Sequence, residues 1–371
     1  MNETMTALDL ARLGADTLMR KFPAASLPPA GRFHYHQGVF LSGVENLYLL
    51  CGDQKYAAYI RDWVDQFVGP EGELSGTTLD QFDDMQPAIL LFRLYDETGD
   101  PRYKAALDRC APVAAKWPTN AKGGFWHKYY RQNQMWLDTL YMIGPLCARY
   151  AAAFQSPYFF EKVLRQMHLM RKYMTDSETG LLRHAWDDSK AADWADRATG
   201  LSAVSWGRAI GWYVVAILDI LDYLPPGHPR RGECVDAECA MLKALLRYQD
   251  ENDGRWYQVV NRGDDPRNWL ENSCSCLFTY ALAKGLRAGI GEPAWEEAAR
   301  RAYAGIVRSL KTEPLPDGTV TLNIPAICVG TGVGDYQFYL ERPTVENDLH
   351  GMGAFLLMAA EYHRAFETAR G

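Results

Sequence analysis

Apolar residues recur every three to four positions along most of the chain, which is the period of helices that bury one face. Leu90, Leu91, Leu94 and Tyr95 form one such stripe. Gly, Pro, Asp and Asn interrupt the pattern where helices would end and begin. The pattern predicts about twelve helices, over residues 4–22, 36–51, 54–68, 83–98, 101–117, 134–153, 157–174, 207–223, 229–250, 272–289, 292–311 and 349–369.

Short joints and long loops alternate between these helices. Joints such as residues 51–56 and 98–103 place Gly at the end of one helix and Asp before the start of the next. This is the capping pattern expected where one helix ends and another begins. Long loops gathered at one end of a scaffold usually carry function. Six helical hairpins closed into a ring would give this arrangement, so we predict an all-α (α/α)6 barrel with residues 1–371 as a single domain. Two α-superhelical domains are an alternative, although no linker-like stretch separates them. The long loops are residues 69–82, 118–133, 175–206, 251–271 and 312–348.

Composition and charge narrow the range of partners. The formal net charge of -7 argues against nucleic acid and anionic membranes, but a local Arg could still bind an anionic small substrate. The beginning of the chain has no basic stretch followed by an apolar one, and nothing reaches membrane-spanning length, so we expect a cytoplasmic protein. We expect a monomer or a small homo-oligomer. The eight cysteines lack zinc-site spacing, which predicts neither a metal site nor a disulfide framework.

Asp138 is the only charged residue in the apolar and aromatic run 135–145. Burial among such side chains disfavours the charged carboxylate, so we expect its pKa to rise. A carboxyl group with a raised pKa can act as an acid near neutral pH. The structural alternative is a carboxylate that caps or hydrogen-bonds a neighbouring helix inside the core.

Asp83 and Asp84 offer a second carboxylate. A glycosidase needs two carboxyl groups beside the scissile bond, and Asp83 with Asp138 could supply them. One of the two neighbouring acids could instead be an N-cap. An aspartate-rich magnesium site would need a third acid, but Pro87 stands at that position.

Other polar residues cluster where long loops enter the next helix. Arg208 and Trp212 are one helical turn apart, a spacing that suits a planar carboxylate bound beside an indole ring. The same local sequence would also fit a buried Arg whose guanidinium bridges loop carbonyl groups. Histidines in such loops are frequently structural, and we retain a subset as ligand contacts. The residues retained at these loop-to-helix positions are His36, His127, Arg131 and His350.

Four segments of this chain resemble, in the same order, the unsaturated rhamnogalacturonyl hydrolases (glycoside hydrolase family 105), which are related to the unsaturated glucuronyl hydrolases. The resemblance extends from about Tyr35 to Leu357. It implies an (α/α)6 barrel that uses no metal or organic cofactor. It also implies hydration of the C4=C5 double bond of the unsaturated uronic acid that polysaccharide lyases leave at a non-reducing end. The segments are residues 134–142, 206–212, 270–285 and 346–357.

The resemblance also assigns roles to residues. The Asp of the family's Trp-Leu-Asp motif falls on Asp138, which would donate a proton to C4 and help to activate water for attack at C5. The family's other Asp falls on Asp83. The substrate contacts implied in the same way are Tyr35, His36, His127, Arg208 and Trp212. We also predict Trp136, two residues before Asp138, as a substrate contact.

The sequence departs from the family pattern at three positions, and the departure at His350, near a loop that could touch the partner sugar, leaves the preferred partner sugar open. Thr139 replaces the usual Gly after the catalytic Asp, Ala88 stands where Gly is common, and His350 stands where Lys is frequent. A glucuronyl- or galacturonyl-linked substrate is therefore an alternative. A conventional inverting glycosidase using Asp83 and Asp138 is a second alternative. A sugar-binding ring without catalysis is a third, and an epimerase would need paired histidines that the pattern supports poorly.

Overall fold

The computed structural model describes residues 5–368, which contain thirteen α-helices and six short β-strands. The outermost limits of the first and last predicted helices, residues 4 and 369, lie outside this range. The helices are α1 (Ala7–Lys21), α2 (Tyr35–Cys51), α3 (Gln54–Val64), α4 (Leu90–Thr98), α5 (Pro101–Ala115), α6 (Asp138–Ala153), α7 (Tyr158–Met174), α8 (Gly207–Tyr223), α9 (Arg231–Leu246), α10 (Asn272–Arg287), α11 (Pro293–Ser309), α12 (Tyr336–Leu340) and α13 (Leu349–Phe366). The strands are β1 (Gln134–Trp136), β2 (Ala185–Asp187), β3 (Lys311–Pro314), β4 (Val320–Asn323), β5 (Ile327–Cys328) and β6 (Thr344–Val345).

Six inner helices form a closed ring. Helices α6, α8, α10 and α13 are buried around nearly their whole circumference, because their sequences are apolar on almost every side. Each inner helix packs on the next, in the order α2, α4 with the turn before it, α6, α8, α10 and α13, and α13 packs back on α2. Six outer helices (α3, α5, α7, α9, α11 and α1) cover them, each packed mainly on one inner helix. The predicted all-α (α/α)6 barrel is confirmed.

The short joints lie at one end of the barrel. Gly52 and Gly99 end α2 and α4 in the left-handed conformation, each with φ of 68°, which favours a residue without a side chain. Asp53 and Asp100 then cap α3 and α5 by accepting hydrogen bonds from backbone N–H groups of the first turn. The capping pattern predicted for these joints, with Gly ending one helix and Asp preceding the next, is confirmed.

Two predicted helix starts are wrong, and both lie at the opposite end. Residues 83–89 form two successive 3₁₀ turns, Phe82–Asp84 and Gln86–Ile89, and the α-helix begins only at Leu90. Pro87 has no N–H to donate and restricts the backbone of the residue before it. Residues 134–136 form strand β1, which pairs with β2 before α6 begins at Asp138.

The long loops at this end carry small sheets. Strand β1, which directly follows the loop 118–133, pairs with β2 in the loop 175–206, which is distant in sequence. Strands β5 and β6 close the glycine-containing segment 329–343, and α12 lies inside it. The loop 312–348 therefore holds secondary structure that helical periodicity did not predict. Within residues 5–368, no helix combines the length and the apolar character needed to cross a membrane.

Candidate active site

A cavity of about 320 Å³ opens at the long-loop end, where the N-termini of α2, α6 and α13 converge. Helix N-termini direct unsatisfied N–H groups and a partial positive charge toward this end, so the position favours an anionic ligand. The residues that line the cavity are His34, Tyr35, His36, Asp83, His127, Lys128, Tyr130, Arg131, Trp136, Asp138, Met142, Gly330, Thr331 and Gly332.

Asp138 is the first residue of α6 and belongs to a hydrogen-bonded chain of three side chains. Its Oδ2 lies 3.1 Å from Nε2 of His184, and Nδ1 of His184 lies 2.6 Å from the hydroxyl of Tyr339. Burial keeps the pKa of Tyr339 well above its ordinary value, so its hydroxyl remains a donor. The Tyr339 hydroxyl is hydrogen-bonded to Nδ1 of His184, and Nε2 of His184 donates to the Asp138 carboxylate.

The expectation that the pKa of Asp138 is raised is wrong for this structure. Burial does raise the pKa of this carboxyl, but the hydrogen bond and charge of His184, together with the charge of His127, outweigh burial. The net result is a pKa below the ordinary value. Asp138 is therefore ionised in the free protein at neutral pH, because its surroundings stabilise the carboxylate form.

Asp83 lies in the first 3₁₀ turn and is paired with a cation. Nζ of Lys128 donates to its Oδ2 at 2.7 Å, and Nε2 of His127 lies 3.7 Å from its Oδ1. Burial alone would raise the pKa of Asp83, but His127, Lys128 and His34 lower it to about 2. Its neighbour Asp84 accepts from Gln81, Arg32 and Thr77 and does not line the cavity. Asp83 is therefore the acid of this pair that faces a ligand.

His127 and Trp136 form a stacked pair in the cavity wall. Their ring centroids are 4.4 Å apart with planes inclined by 18°. Nδ1 of His127 lies 2.9 Å from the hydroxyl of Thr139, and burial lowers its pKa to about 4. Nε1 of Trp136 donates to Gln134 in the same strand. These contacts fix both rings, so the wall presents a rigid aromatic surface.

Arg208 and Trp212 do not reach the cavity. Arg208 is 2% exposed, and its guanidinium donates to the carbonyl oxygens of Cys328 and Val329. It lies over the ring of Trp206, with the guanidinium carbon 4.5 Å from the centroid. Trp212 is 1% exposed and stacks on Tyr141. In this structure Arg208 bridges loop carbonyls, which is the structural alternative raised by its sequence, and its predicted contact with a substrate carboxylate stays a prediction.

Tyr35 and His36 enter the cavity from the first turn of α2, and His350 lies behind them. The rings of His36 and His350 are 5.3 Å apart, and those of Tyr35 and His350 are 6.2 Å apart. His350 is fully buried, and its Nε2 lies 3.1 Å from the carbonyl oxygen of Cys328. It therefore supports the cavity wall through His36 and Tyr35 without lining the cavity itself.

Arg131 and Tyr130 form the rim of the cavity. The Arg131 guanidinium lies 5.7 Å from the centroid of the Tyr130 ring. Tyr130 is 61% exposed, which is unusual for a large aromatic side chain. An exposed ring beside a cation and above a polar cavity suits the flat face of a sugar.

The sequence profile described as Glycosyl Hydrolase Family 88 matches residues 11–366, almost the whole chain and all the cavity residues described above. The chain belongs to this family. The predicted resemblance is thereby confirmed, and the protein is a glycoside hydrolase.

Two named proteins and one solved structure are also similar to this family 88 chain. The unsaturated rhamnogalacturonyl hydrolase YesR of Bacillus subtilis is 31% identical over 254 residues, covering 66% of this chain and 68% of YesR. An unsaturated 3S-rhamnoglycuronyl hydrolase of Alteromonas is 27% identical over 229 residues, covering 61% of this chain and 50% of that protein. The solved structure of a family 105 glycoside hydrolase of C. acetobutylicum superposes with a TM-score of 0.90 at 33% identity, covering 95% of this chain and 99% of the other.

The structure of this family 88 chain brings seven of the predicted site residues together around the cavity. Sequence reasoning missed several others, above all His184, which supports Asp138 from the next long loop. The local sequence of His184 carries no signal, since its position depends on the pairing of β1 with β2. Lys128 could have been predicted from the sequence, because it is a cation directly after the predicted site residue His127. The seven predicted residues are Tyr35, His36, Asp83, His127, Arg131, Trp136 and Asp138.

Proposed function

We propose that this protein removes a 4-deoxy-4,5-unsaturated uronic acid from the non-reducing end of oligosaccharides that polysaccharide lyases have produced. The similarity to YesR, named an unsaturated rhamnogalacturonyl hydrolase, supports this substrate class. The observation that carries the proposal is the buried carboxylate of Asp138, held by His184 at the wall of a cavity that favours anions. We further propose that residues 1–371 act as one catalytic domain.

Asp138 supplies the acid and base chemistry in this proposal. A uronate in the cavity places a second negative charge near Asp138, which raises the pKa of Asp138 and favours uptake of a proton. The protonated carboxyl then transfers that proton to C4 of the double bond. Water adds to C5, and the resulting carboxylate of Asp138 takes the proton that this water releases. Asp138 thus returns to its protonated state, and one water molecule is consumed.

Bond cleavage follows from the product of this addition. The new hydroxyl group at C5 makes that carbon a hemiketal, because C5 already carries the ring oxygen. The hemiketal opens to a keto group at C5, which leaves C1 as a hemiacetal carrying the former ring oxygen as a hydroxyl group. This hemiacetal collapses to an aldehyde at C1, and the partner sugar leaves with the glycosidic oxygen and a proton as its hydroxyl group. No direct displacement at the anomeric carbon is needed.

Asp83 has a different role because its pKa is low. Lys128 and His127 keep it ionised, so it accepts hydrogen bonds from ligand hydroxyl groups rather than donating a proton. The fixed rings of His127 and Trp136 then limit the orientations that a bound sugar can adopt. This division of roles, one carboxylate held as an acceptor and one that takes up a proton, resembles other sites with two carboxyl groups.

The experiment that tests the function follows the ultraviolet absorbance of the conjugated enol carboxylate. Purified protein is mixed separately with unsaturated rhamnogalacturonan and unsaturated glycosaminoglycan disaccharides. Loss of absorbance together with release of the partner sugar supports hydration, and the faster substrate identifies the partner sugar. Sugar release from saturated oligosaccharides without loss of absorbance on either unsaturated substrate would contradict the proposal and favour a conventional inverting glycosidase.

A further inference from the structure

Tyr339 does not line the cavity, yet it contacts the residue that holds Asp138. It belongs to α12, its side chain is fully buried, and its hydroxyl lies 2.6 Å from Nδ1 of His184. Nε2 of the same ring lies 3.1 Å from Oδ2 of Asp138. The imidazole therefore connects a buried phenol to the carboxylate that carries the proposed chemistry.

Among the described residues, the ring nitrogens of His184 form hydrogen bonds to Asp138 and Tyr339 alone. The ring is fully buried and contacts the rings of Trp136 and Trp206, whose centroids are 5.6 and 4.7 Å away. These aromatic contacts hold the plane of the imidazole. The two hydrogen bonds then determine which of its nitrogens carries a proton.

The donors and acceptors around this ring fix the direction of both hydrogen bonds. The Asp138 carboxylate is ionised and can only accept, so Nε2 of His184 carries a proton. The Tyr339 hydroxyl accepts from the backbone N–H of Gly334, a hydrogen bond that lowers the pKa of Tyr339 while burial raises it. If Nδ1 also donated to this oxygen, the hydroxyl proton would have no acceptor among the described residues, and an unpaired buried O–H group is unfavourable. The hydroxyl therefore donates to Nδ1.

A proton fixed on Nε2 protects the acid of the proposed reaction. When Asp138 takes up a proton, the N–H group of Nε2 still donates to Oδ2, so the acidic proton resides on Oδ1. With the ring proton on Nδ1 instead, Nε2 would present a lone pair to the carboxyl group and accept its proton. That proton would then be directed to the ring and not to C4 of the substrate. The placement of one ring proton thus decides whether Asp138 can serve as an acid.

The segment that carries Tyr339 also lines the cavity. Arg342 follows α12, and its guanidinium donates to the carbonyl oxygen of Gly330 at 2.6 Å and to the hydroxyl of Thr331 at 3.2 Å. Gly330 and Thr331 both line the cavity. The contacts of Arg342 fix these two residues relative to α12, so the segment that meets a ligand also holds the phenol against His184.

We propose that Tyr339 is a positioning residue, which donates to Nδ1 of His184 and thereby keeps the ring proton on Nε2, facing Asp138. The proton placement is a property of the free protein, whereas its effect on the rate rests on the proposed hydration reaction. The Y339F variant removes only the hydroxyl group. The matched control is Y59F, because Tyr59 is also buried and its hydroxyl donates to the carbonyl oxygen of Phe22 at 2.6 Å, away from the cavity.

Nitrogen NMR of the full-length protein with labelled histidines tests the proton placement without any substrate. The signals of His184 are assigned by their absence in H184Q, and circular dichroism checks the fold of each variant. At neutral pH we expect the unaltered protein and Y59F to show a proton on Nε2 and a lone pair on Nδ1. Y339F should show a mixture in which Nδ1 is partly protonated. A proton on Nδ1 in the unaltered protein, alone or together with one on Nε2, would overturn the proposal.

The rate on an unsaturated disaccharide tests the catalytic effect. We expect Y339F to lower kcat by about tenfold and to keep KM within about twofold, because the ring loses its fixed orientation. The limb of the kcat/KM profile that reports Asp138 should move to higher pH, since burial raises the pKa of this carboxyl and a less ordered His184 lowers it less. The other groups that act on this pKa, His127 and Asp83, are unaltered in Y339F. Y59F should keep the normal rate and profile.

Two results for Y339F would overturn the positioning role. One is an NMR spectrum in which the His184 signals are those of the unaltered protein, and the other is an unaltered pH profile, even with a lower rate. Absence of activity in the unaltered protein on every unsaturated disaccharide would contradict the proposed function instead. The NMR result would still decide where the ring proton lies.

Discussion

Nε2 of His184 lies 3.1 Å from Oδ2 of Asp138, although the two residues are 46 positions apart in the chain. Strand β1 ends two residues before Asp138, and β2 begins one residue after His184. The backbone N–H of Leu137 also donates to the carbonyl oxygen of His184. A small antiparallel sheet thus fixes the distance between the acid and its partner, and the next predictions depend on this pair.

Replacing Asp138 by Asn should abolish the chemical step. Asn is similar in size and can accept from His184, but it cannot exchange a proton at these pH values. We expect kcat on the preferred unsaturated disaccharide to fall by about 1000-fold, within the range typical of lost acid–base catalysis. The absorbance assay measures the rate, and circular dichroism checks the fold. D96N, at an exposed position of α4, is the matched control and should keep normal activity. A D138N rate within tenfold of normal would contradict the assignment.

Replacing His184 by Gln should shift the pH dependence upward. Burial raises the pKa of Asp138 and His184 is the main group that lowers it, so loss of His184 leaves burial to dominate. The limb of the kcat/KM profile that reports Asp138 should therefore move to higher pH. The rate at the optimum should fall by roughly 100-fold, because the carboxyl group loses its orientation. An unchanged profile with a lower rate would mean that His184 has only a structural role.

The helices of the barrel were predictable because the sequence signals that define them are local. Helical periodicity and the Gly-Asp joints at residues 52–53 and 99–100 depend on neighbours within one or two turns. Strand β1 was not predictable in this way, since three residues cannot establish a period. Its partner Ala185–Asp187 lies beyond two intervening helices, so only tertiary pairing identifies either strand.

The site shows the same contrast. Asp138 stands out locally as one charge among apolar residues, but its pKa depends on His184 and His127, which come from two other loops. The spacing of Arg208 and Trp212 correctly puts both on one helix. It does not reveal that the guanidinium lies over Trp206 and donates to the carbonyls of a segment more than a hundred residues later.

Replacing Lys128 by Met should destabilise the protein near neutral pH. Lys128 helps to lower the pKa of buried Asp83 from 3.8 to about 2, so the ionised carboxylate stabilises the fold. This depressed pKa gives stability that is present above pH 3.8 and is lost as the pH falls toward about 2. We expect K128M to lower the free energy of unfolding at pH 6 by up to about 2 kcal/mol. Urea titrations at pH 6 and pH 3 measure the difference, which should shrink at the lower pH. K122M, at an exposed position, is the control, and an equal loss at both pH values would contradict the account.

Replacing Tyr130 by Ala should weaken substrate binding without altering the chemical step. The exposed ring of Tyr130 lines the cavity, whereas its neighbour Tyr129 packs against Trp117. Loss of one stacking surface is worth about 1 kcal/mol, so KM should rise roughly fivefold while kcat stays within twofold. Y129A is the matched control and should leave KM unchanged. Equal effects of the two variants would place the sugar elsewhere.

Replacing Arg208 by Lys separates its structural role from the predicted contact with a uronate. The planar guanidinium donates to two carbonyl oxygens at once, which a single ammonium cannot reproduce. If Arg208 mainly holds the segment 328–331 in place, R208K should lower the free energy of unfolding by about 2 kcal/mol, since hydrogen bonds to a buried charge are lost. KM should then rise for charged and uncharged ligands alike, because the same segment lines the cavity. If KM rises for the uronate and not for its uncharged methyl ester, with stability unchanged, Arg208 contacts the substrate carboxylate as its sequence position first predicted.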